Sequence, residues 1–274
     1  WEMIQKSSSH LHDQYSAKKS LSKADRIQLI ENIIDSFGPG RVMFRNTRKA
    51  LKGFPKRQPV LHPLDSDSEE NPTFDQKIQW LISWLADNEK EKVLLICKTK
   101  AMVEEIYEAV QKQVNLNLSQ FHEGLNLIQR DRQAAYFADP KGARVLLCSE
   151  IGSEGRNFQF AHHLILWDLP ENPELLEQRI GRLDRIGQTD TIHIHLPYIK
   201  NSTEEVRVQF YNKGVDIFEQ PVPTALIIAE TFGEELEKLC NEFDADALQS
   251  LMTDVIDARK DLGEKLENGY LRLL

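Results

Sequence analysis

Cysteine is scarce and scattered. Cys97, Cys148 and Cys240 are the only three in 274 residues, and no C-x-x-C occurs. That excludes a cysteine-built zinc site and a disulfide framework, and it fits a reducing compartment. No run of 18 apolar residues is present, so neither a transmembrane helix nor a membrane partner is expected. The opening stretch WEMIQKSSSH lacks the apolar core of a secretory signal. Because it begins on Trp1, the chain is expected to be a piece of a longer one. Two further absences bear on chemistry. None of the 13 glycines is followed by lysine, so the glycine-rich phosphate-binding loop is missing, and no Asp-Glu dipeptide offers magnesium carboxylates. A self-contained nucleoside-triphosphate hydrolase is therefore excluded.

Charge is present but unevenly placed. Residues 215–274 carry 14 Asp/Glu against 5 Lys/Arg, a balance of −9 that equals the net charge of the whole chain. The first 214 residues are thus neutral, with 29 of each sign, and Arg41 to Arg57 holds seven basic residues and no acidic one. The acidic average does not exclude nucleic acid. It marks only the last 60 residues as a poor surface for phosphate.

Apolar patterning divides the rest. A helix is expected over 22–36, capped by Ser22 and stopped by Gly38-Pro39-Gly40. The basic stretch, a short strand PVLHPL and the polar linker DSDSEENP follow. From Thr73 helices and strands alternate. A capping box at TFDQ opens a helix through Trp80 and Trp84, read as core packing rather than base stacking. VLLIC (93–97), LSQF (118–121), RVLLC (144–148), HLILW (163–167) and TIHIHL (191–196) read as strands. Between them, Thr99 caps a helix to about Lys112, NLIQ opens one to Ala138, and Asn172-Pro173 opens one to about Arg185. That alternation predicts a mainly parallel, doubly wound α/β sheet. After Gly214 two amphipathic helices, Ala225 to Phe243 and Leu248 to Tyr270, are expected to pack as a hairpin.

The most specific string is EQRIGRLDRIGQ (177–188), with Arg179, Arg182 and Arg185 three apart. On a continuing helix Gln178 and Arg182 share a face, and Arg185 lies one turn beyond. A guanidinium offers a rigid donor fork that matches phosphate oxygens. A solvated helix, with Glu177 and Asp184 as partners, would use the same charges. No carboxylate or cysteine stands at ligand spacing beside His162-His163 or His193/His195, so no metal site is expected.

Gln178, Gly181, Arg182, Arg185, Gly187 and Gln188 together resemble the last helicase motif of superfamily-two ATPases, in the branch that includes chromatin remodellers. Five other segments resemble further motifs in order: FRNTRKALKGFPKR (44–57), VLLICKT (93–99), FHEGLNLIQRDR (121–132), LLCSEIGSEGRNF (146–158) and LWDLPENP (166–173). The resemblance covers roughly 40–274. The string SEIGSEGRNF and the acidic final helices bring the chain nearest to a family of bacterial RNA polymerase-associated ATPases. It departs from the motif at Ser149, where the family has Thr, and at Ser153, where it has Gly.

The resemblance implies a RecA-like, phosphate-loop NTPase-type lobe over 73–214. It implies a helical segment 1–40 and a basic linker or brace 41–72 before that lobe, and an acidic helical extension 215–274 after it. It implies the C-terminal motor half of an ATP-dependent DNA translocase that promotes RNA polymerase recycling, cytoplasmic and nucleoid-associated. ATP and Mg would be bound mainly by a first RecA-like lobe that this chain lacks. Arg182 and Arg185 would be catalytic, and Gln178 and Gly155 nucleotide-binding. Lys98, Thr99, Lys100, His122, Gly124 and Ser149 would meet double-stranded DNA. The implied partners are RNA polymerase, double-stranded DNA and the first lobe. One alternative is a non-catalytic nucleic-acid or protein-binding module. The other is a nucleotide-sugar transferase, against which the paired arginines argue.

Overall fold

The structure is a computed structural model that describes residues 54–65, 72–150 and 158–271. The helix expected over 22–36, most of the basic stretch and residues 151–157, with Ser153 and Gly155, lie outside the described residues. Among the described residues, six strands form one sheet: β1 (Arg57–Leu64), β2 (Val93–Cys97), β3 (Leu118–Phe121), β4 (Val145–Ser149), β5 (His163–Leu166) and β6 (Ile192–Ile199). Their order is β1-β6-β5-β2-β4-β3, and each neighbouring pair runs parallel. Helices cover both faces, which is the RecA-like architecture. The strand PVLHPL belongs to this sheet, because β1 pairs with β6 along eight residues, from Arg57 opposite Ile192 to Leu64 opposite Ile199.

The apolar runs explain the layers. Alternate residues of a strand point to opposite faces. Val93, Leu95 and Cys97 of β2 meet α1 (Pro72–Asp87) and α2 (Lys100–Gln113) through Ile78, Leu81, Val103 and Ile106. Leu94 and Ile96 face the other way, toward Phe137 of α3 (Leu127–Ala138) and Leu176 and Ile180 of α4 (Pro173–Ile180). All five residues of β2 are buried. Each leucine or isoleucine so buried contributes about 1.5–3 kcal/mol.

Helix starts follow the expected caps. Thr99 accepts the Met102 N–H at 3.2 Å. Asn126 and Gln129 form a reciprocal box with both bonds at 2.9 Å. Asn172 accepts the Glu174 N–H at 2.7 Å, with Pro173 opening the first turn. The start of α1 differs: it begins at Pro72, so Thr73 lies inside the first turn instead of capping it.

The C-terminal region differs more. α5 (Thr203–Gln209) runs into a π-helical segment, Phe210–Val215, that the sequence did not signal. The helix expected over 225–243 is split at Phe232 into α6 (Ala225–Thr231) and α7 (Gly233–Asn241). The long α8 (Ala245–Leu271) then packs on the π-helical segment as well as on α6 and α7, so the region is not a simple hairpin. Val255 of α8 sits so close over Gly214 that a Cβ there would fall 2.8 Å from its Cγ1.

Candidate functional site

In a parallel sheet every strand ends on the same edge, so loops after strands and loops before strands form two separate surfaces. The arginine string lies near the edge where strands begin. α4 stops at Ile180, and the chain continues in tight turns: Arg182 N–H donates to Arg179 O at 3.2 Å and Leu183 N–H to Ile180 O at 3.1 Å. Arg182 and Arg185 therefore do not ride on a helix extended to residue 185. Gly181 weakens the helix at that point. Leu183 and Asp184, at 0% and 8% exposure, must both turn inward, and a straight helix cannot arrange that together with Gln188. Gln188 donates to the carbonyls of Gln159 (2.8 Å) and Ala161 (3.1 Å), just ahead of β5. Gly187, with φ +96°, makes the reversal that an L side chain would strain.

Arg57, at the start of β1, locks this turn from within. It is 4% exposed. Its Nε donates to Asp184 Oδ2 at 2.6 Å, its two terminal nitrogens bind both Glu177 oxygens at 3.0 and 2.9 Å, and Nη1 also reaches the Ile217 carbonyl at 3.3 Å. Glu177 and Asp184 are thus internal ligands of Arg57. Of the three arginines, Arg179 is an internal strut: Nε donates to Glu150 at 3.1 Å and Nη1 to the carbonyl and carboxylate of Asp168 at 2.7 and 2.9 Å. Arg182 and Arg185 are half-buried on the turn, and Arg185 Nε donates to Gly181 O at 3.2 Å. Gln178 is exposed on α4 beside them. Gly155 lies outside the described residues.

The opposite edge gathers Lys98, Thr99 and Lys100 after β2, His122 and Gly124 after β3, and Ser149 at the end of β4. Lys98 and Thr99 are exposed, and the Lys98 backbone N–H is taken by Asp168 at 2.8 Å. The Lys100 side chain lies across Gly124, leaving 2.8 Å between its Cε and the place of an added Cβ. Two members are less open than a surface contact requires. His122 is buried at 4% exposure, its Nδ1 accepts the Gly124 N–H at 3.2 Å, and burial lowers its pKa. Ser149, at 1%, donates its hydroxyl to Glu123 at 2.6 Å. Glu123, which carried no signal in the sequence, puts a carboxylate into a surface expected to meet phosphates.

The Ser149 hydroxyl holds the Glu123 carboxyl below its ordinary 4.5, against burial, which acts to raise it. A depressed folded-state pKa contributes stability that is present above the ordinary value and lost as pH falls through the lowered one. Ser149→Ala is expected to move the Glu123 titration back up toward 4.5. Carbon NMR of the side-chain carboxyl reads this directly; an unmoved titration would mean the hydroxyl is not its cause.

Two further groups were not legible from spacing. Lys77 is buried, donating to Trp167 O at 2.9 Å and Glu204 at 2.6 Å, and it lines a cavity of about 200 Å3 with Asp168, Arg207 and Cys240. Glu91, just ahead of β2, stands 3.1 Å from His162 Nε2 and 3.6 Å from His163 Nε2. The sequence placed no carboxylate near these histidines, because Glu91 lies some 70 residues away along the chain and only the β2–β5 pairing brings it close. Trp80 and Trp84 pack on imidazoles, with ring centroids 4.6 Å from His62 and 4.7 Å from His195.

Two family models match in tandem: the helicase conserved C-terminal domain over residues 76–187 and the C-terminal region of the RNA polymerase recycling family over 191–274. The RNA polymerase-associated protein RapA of Pseudomonas putida is 42% identical over 276 residues, covering 90% of this chain. That of Photobacterium profundum is 38% identical over 291 residues, covering 91%. The chain spans only 29% and 30% of these relatives' lengths. The solved C-terminal part of the Fun30 ATPase domain aligns at 20% identity over 68% of this chain and 54% of that one, with a TM-score of 0.44.

Proposed function

Because the chain belongs to the RNA polymerase recycling family of helicase-like proteins, we propose that it is the C-terminal motor half of an ATP-dependent DNA translocase that acts on RNA polymerase to promote its recycling. The observation that carries this reading is the arginine turn: Arg182 and Arg185 stand on a rim fixed from below by buried ion pairs, in a chain without a phosphate-binding loop. Exposed apolar residues flank them. Ile186 is 60% and Phe160 45% exposed, and the Ile186 carbonyl receives the Gln159 amide at 2.8 Å. Such a rim suits coverage by another lobe.

The chemistry follows from charge. Phosphoryl transfer spreads negative charge over equatorial oxygens, and a pre-positioned guanidinium stabilises it without reorganising. Arg182 and Arg185 would enter the pocket as the lobes close, with Gln178 at the margin and Gly155 as a further nucleotide contact. Their donor forks fit phosphate. Glu177 and Asp184, the carboxylates within the arginine string, are already bound by Arg57, and ATP and Mg would be held mainly by the first lobe. At the opposite edge Lys98, Thr99 and Lys100 would track a DNA backbone, with His122, Gly124 and Ser149 shaping the loops behind them. Phosphate contacts position a duplex without reading its sequence. The acidic region after Gly214 would face RNA polymerase, in the bacterial cytoplasm and at the nucleoid.

The test is ATP hydrolysis by this chain alone, then with the preceding lobe of the same parent supplied, each with and without double-stranded DNA. We expect no turnover alone and DNA-stimulated turnover when the lobe is added. Turnover by the chain alone would defeat the half-site reading. No gain on adding a correctly folded first lobe would favour the binding module.

A further inference from the structure

Five histidines gather where β5 and β6 begin and β1 passes beside them. His163 Nδ1 lies 2.9 Å from His195 Nε2, and His195 Nδ1 lies 3.0 Å from His62 Nε2. The rings of His163 and His193 stack at 5.0 Å, and those of His162 and His163 lie 4.7 Å apart. Adjacent residues within a strand point to opposite faces, but His162 precedes β5, so its ring can lie on the same side as that of His163. Glu91 closes the group from the loop ahead of β2.

We propose that Glu91, His162 and His163 bind a borderline divalent transition metal, Zn2+ being the ion their geometry suits. The three ligand atoms all lie within 4.8 Å of one another. Two ligands of a tetrahedral zinc at about 2.0–2.1 Å stand about 3.3 Å apart. The carboxylate-to-imidazole distances of 3.1 and 3.6 Å bracket that value, so little movement is needed to admit the ion.

The surroundings are those a metal-binding imidazole needs. A ligating histidine keeps its tautomer by donating its other ring N–H to an acceptor. With the metal on Nε2, His163 Nδ1–H donates to His195 Nε2, and His195 Nδ1–H donates to His62 Nε2. One tautomer per ring satisfies the whole chain. The Glu91 and His162 side chains remain 34% and 31% exposed, which leaves a path in and room for a fourth, solvent ligand. Two nitrogens and one carboxylate oxygen select against Mg2+ and Ca2+, which take all-oxygen shells. The site is therefore distinct from any nucleotide-bound Mg. It would tie the loop ahead of β2 to the start of β5, next to the Ala161 carbonyl that holds Gln188 and the arginine turn.

The experiment is calorimetric titration of the full chain, with any polyhistidine tag removed, using ZnCl2 in millimolar MgCl2, alongside the visible spectrum with CoCl2. The expected result is one Zn2+ per chain and intense tetrahedral cobalt bands. Affinity should fall more than ~100-fold in Glu91→Gln and His162→Ala, since losing even an outer-shell partner costs 10–100-fold. Both substitutions lie at the solvent margin, and circular dichroism checks that the fold is kept. His193→Gln, which removes a stacked ring but no ligand, should retain one equivalent. Absence of one-to-one binding in the parent chain would overturn the site, as would binding unchanged in both ligand variants. Zinc binding does not depend on nucleotide turnover, so the motor reading and this one can fail separately.

Discussion

Replacing Arg185 by alanine in the intact parent protein is expected to leave ATP affinity nearly unchanged while DNA-stimulated turnover falls ~10³-fold or more, the range for a guanidinium that acts on the transition state. The geometry motivates that split. Arg185 sits on a turn whose anchors lie elsewhere: Asp184 on Arg57, and Gln188 on Gln159 and Ala161. Truncating a half-buried side chain above those anchors should not unfold them, and a thermal melt close to that of the parent would confirm it. A group that met ATP equally in ground and transition states would lower binding and turnover together. Nucleotide affinity by fluorescent analogue, measured beside kcat, separates the two. Arg185→Lys keeps the charge but loses the planar fork, so it should recover only part of the rate. Equal losses of affinity and turnover in Arg185→Ala would remove the transition-state role.

Much of the lobe was legible because buried parallel strands announce themselves. VLLIC matches its strand to the residue, since a strand covered on both faces must be apolar throughout, and LSQF matches the edge strand β3. The caps at Thr99, Asn126 and Asn172 were legible for a similar reason: each is a local hydrogen bond between near neighbours. What failed was long-range. The end of α4 at Ile180 is decided by Asp184 reaching Arg57, 127 residues away. The break at Phe232 interrupts a sound helical period, and the two halves pack differently, α6 on α4 and α8, and α7 on α5 and α8. Glu123 at Ser149 and Glu91 at His162 are likewise pairings that the sheet creates. At the candidate site the motif singled out Arg182 and Arg185, but the partners that hold their turn, Arg57 on Asp184 and Gln188 on Gln159, were not legible from spacing.

Arg57→Met should lower unfolding free energy by about 3–5 kcal/mol, the cost of breaking a buried ion pair by removing one member. The side chains of Arg57 and Asp184 are each 3% exposed, so water cannot take the place of the guanidinium when it is removed. Glu177, 27% exposed, can turn toward solvent and should contribute less. A double variant, Arg57→Met with Asp184→Leu, removes both members of the buried pair and should recover a large part of the loss. Urea unfolding at constant m measures both steps. The same variants ask whether Arg57, which closes the basic stretch, contacts nucleic acid or braces the lobe. A residue that contacts DNA phosphate would reduce the salt slope of DNA binding and leave stability almost untouched. A brace does the reverse, and its contribution persists at high salt because the pair is shielded from mobile ions. The bidentate grip on Glu177 and the bond to Asp184 already commit Arg57's donors inside the lobe. Stability should therefore fall steeply in Arg57→Met while the salt dependence of DNA binding by the folded fraction stays where it was. A changed salt slope with unchanged stability would instead return Arg57 to the nucleic-acid surface.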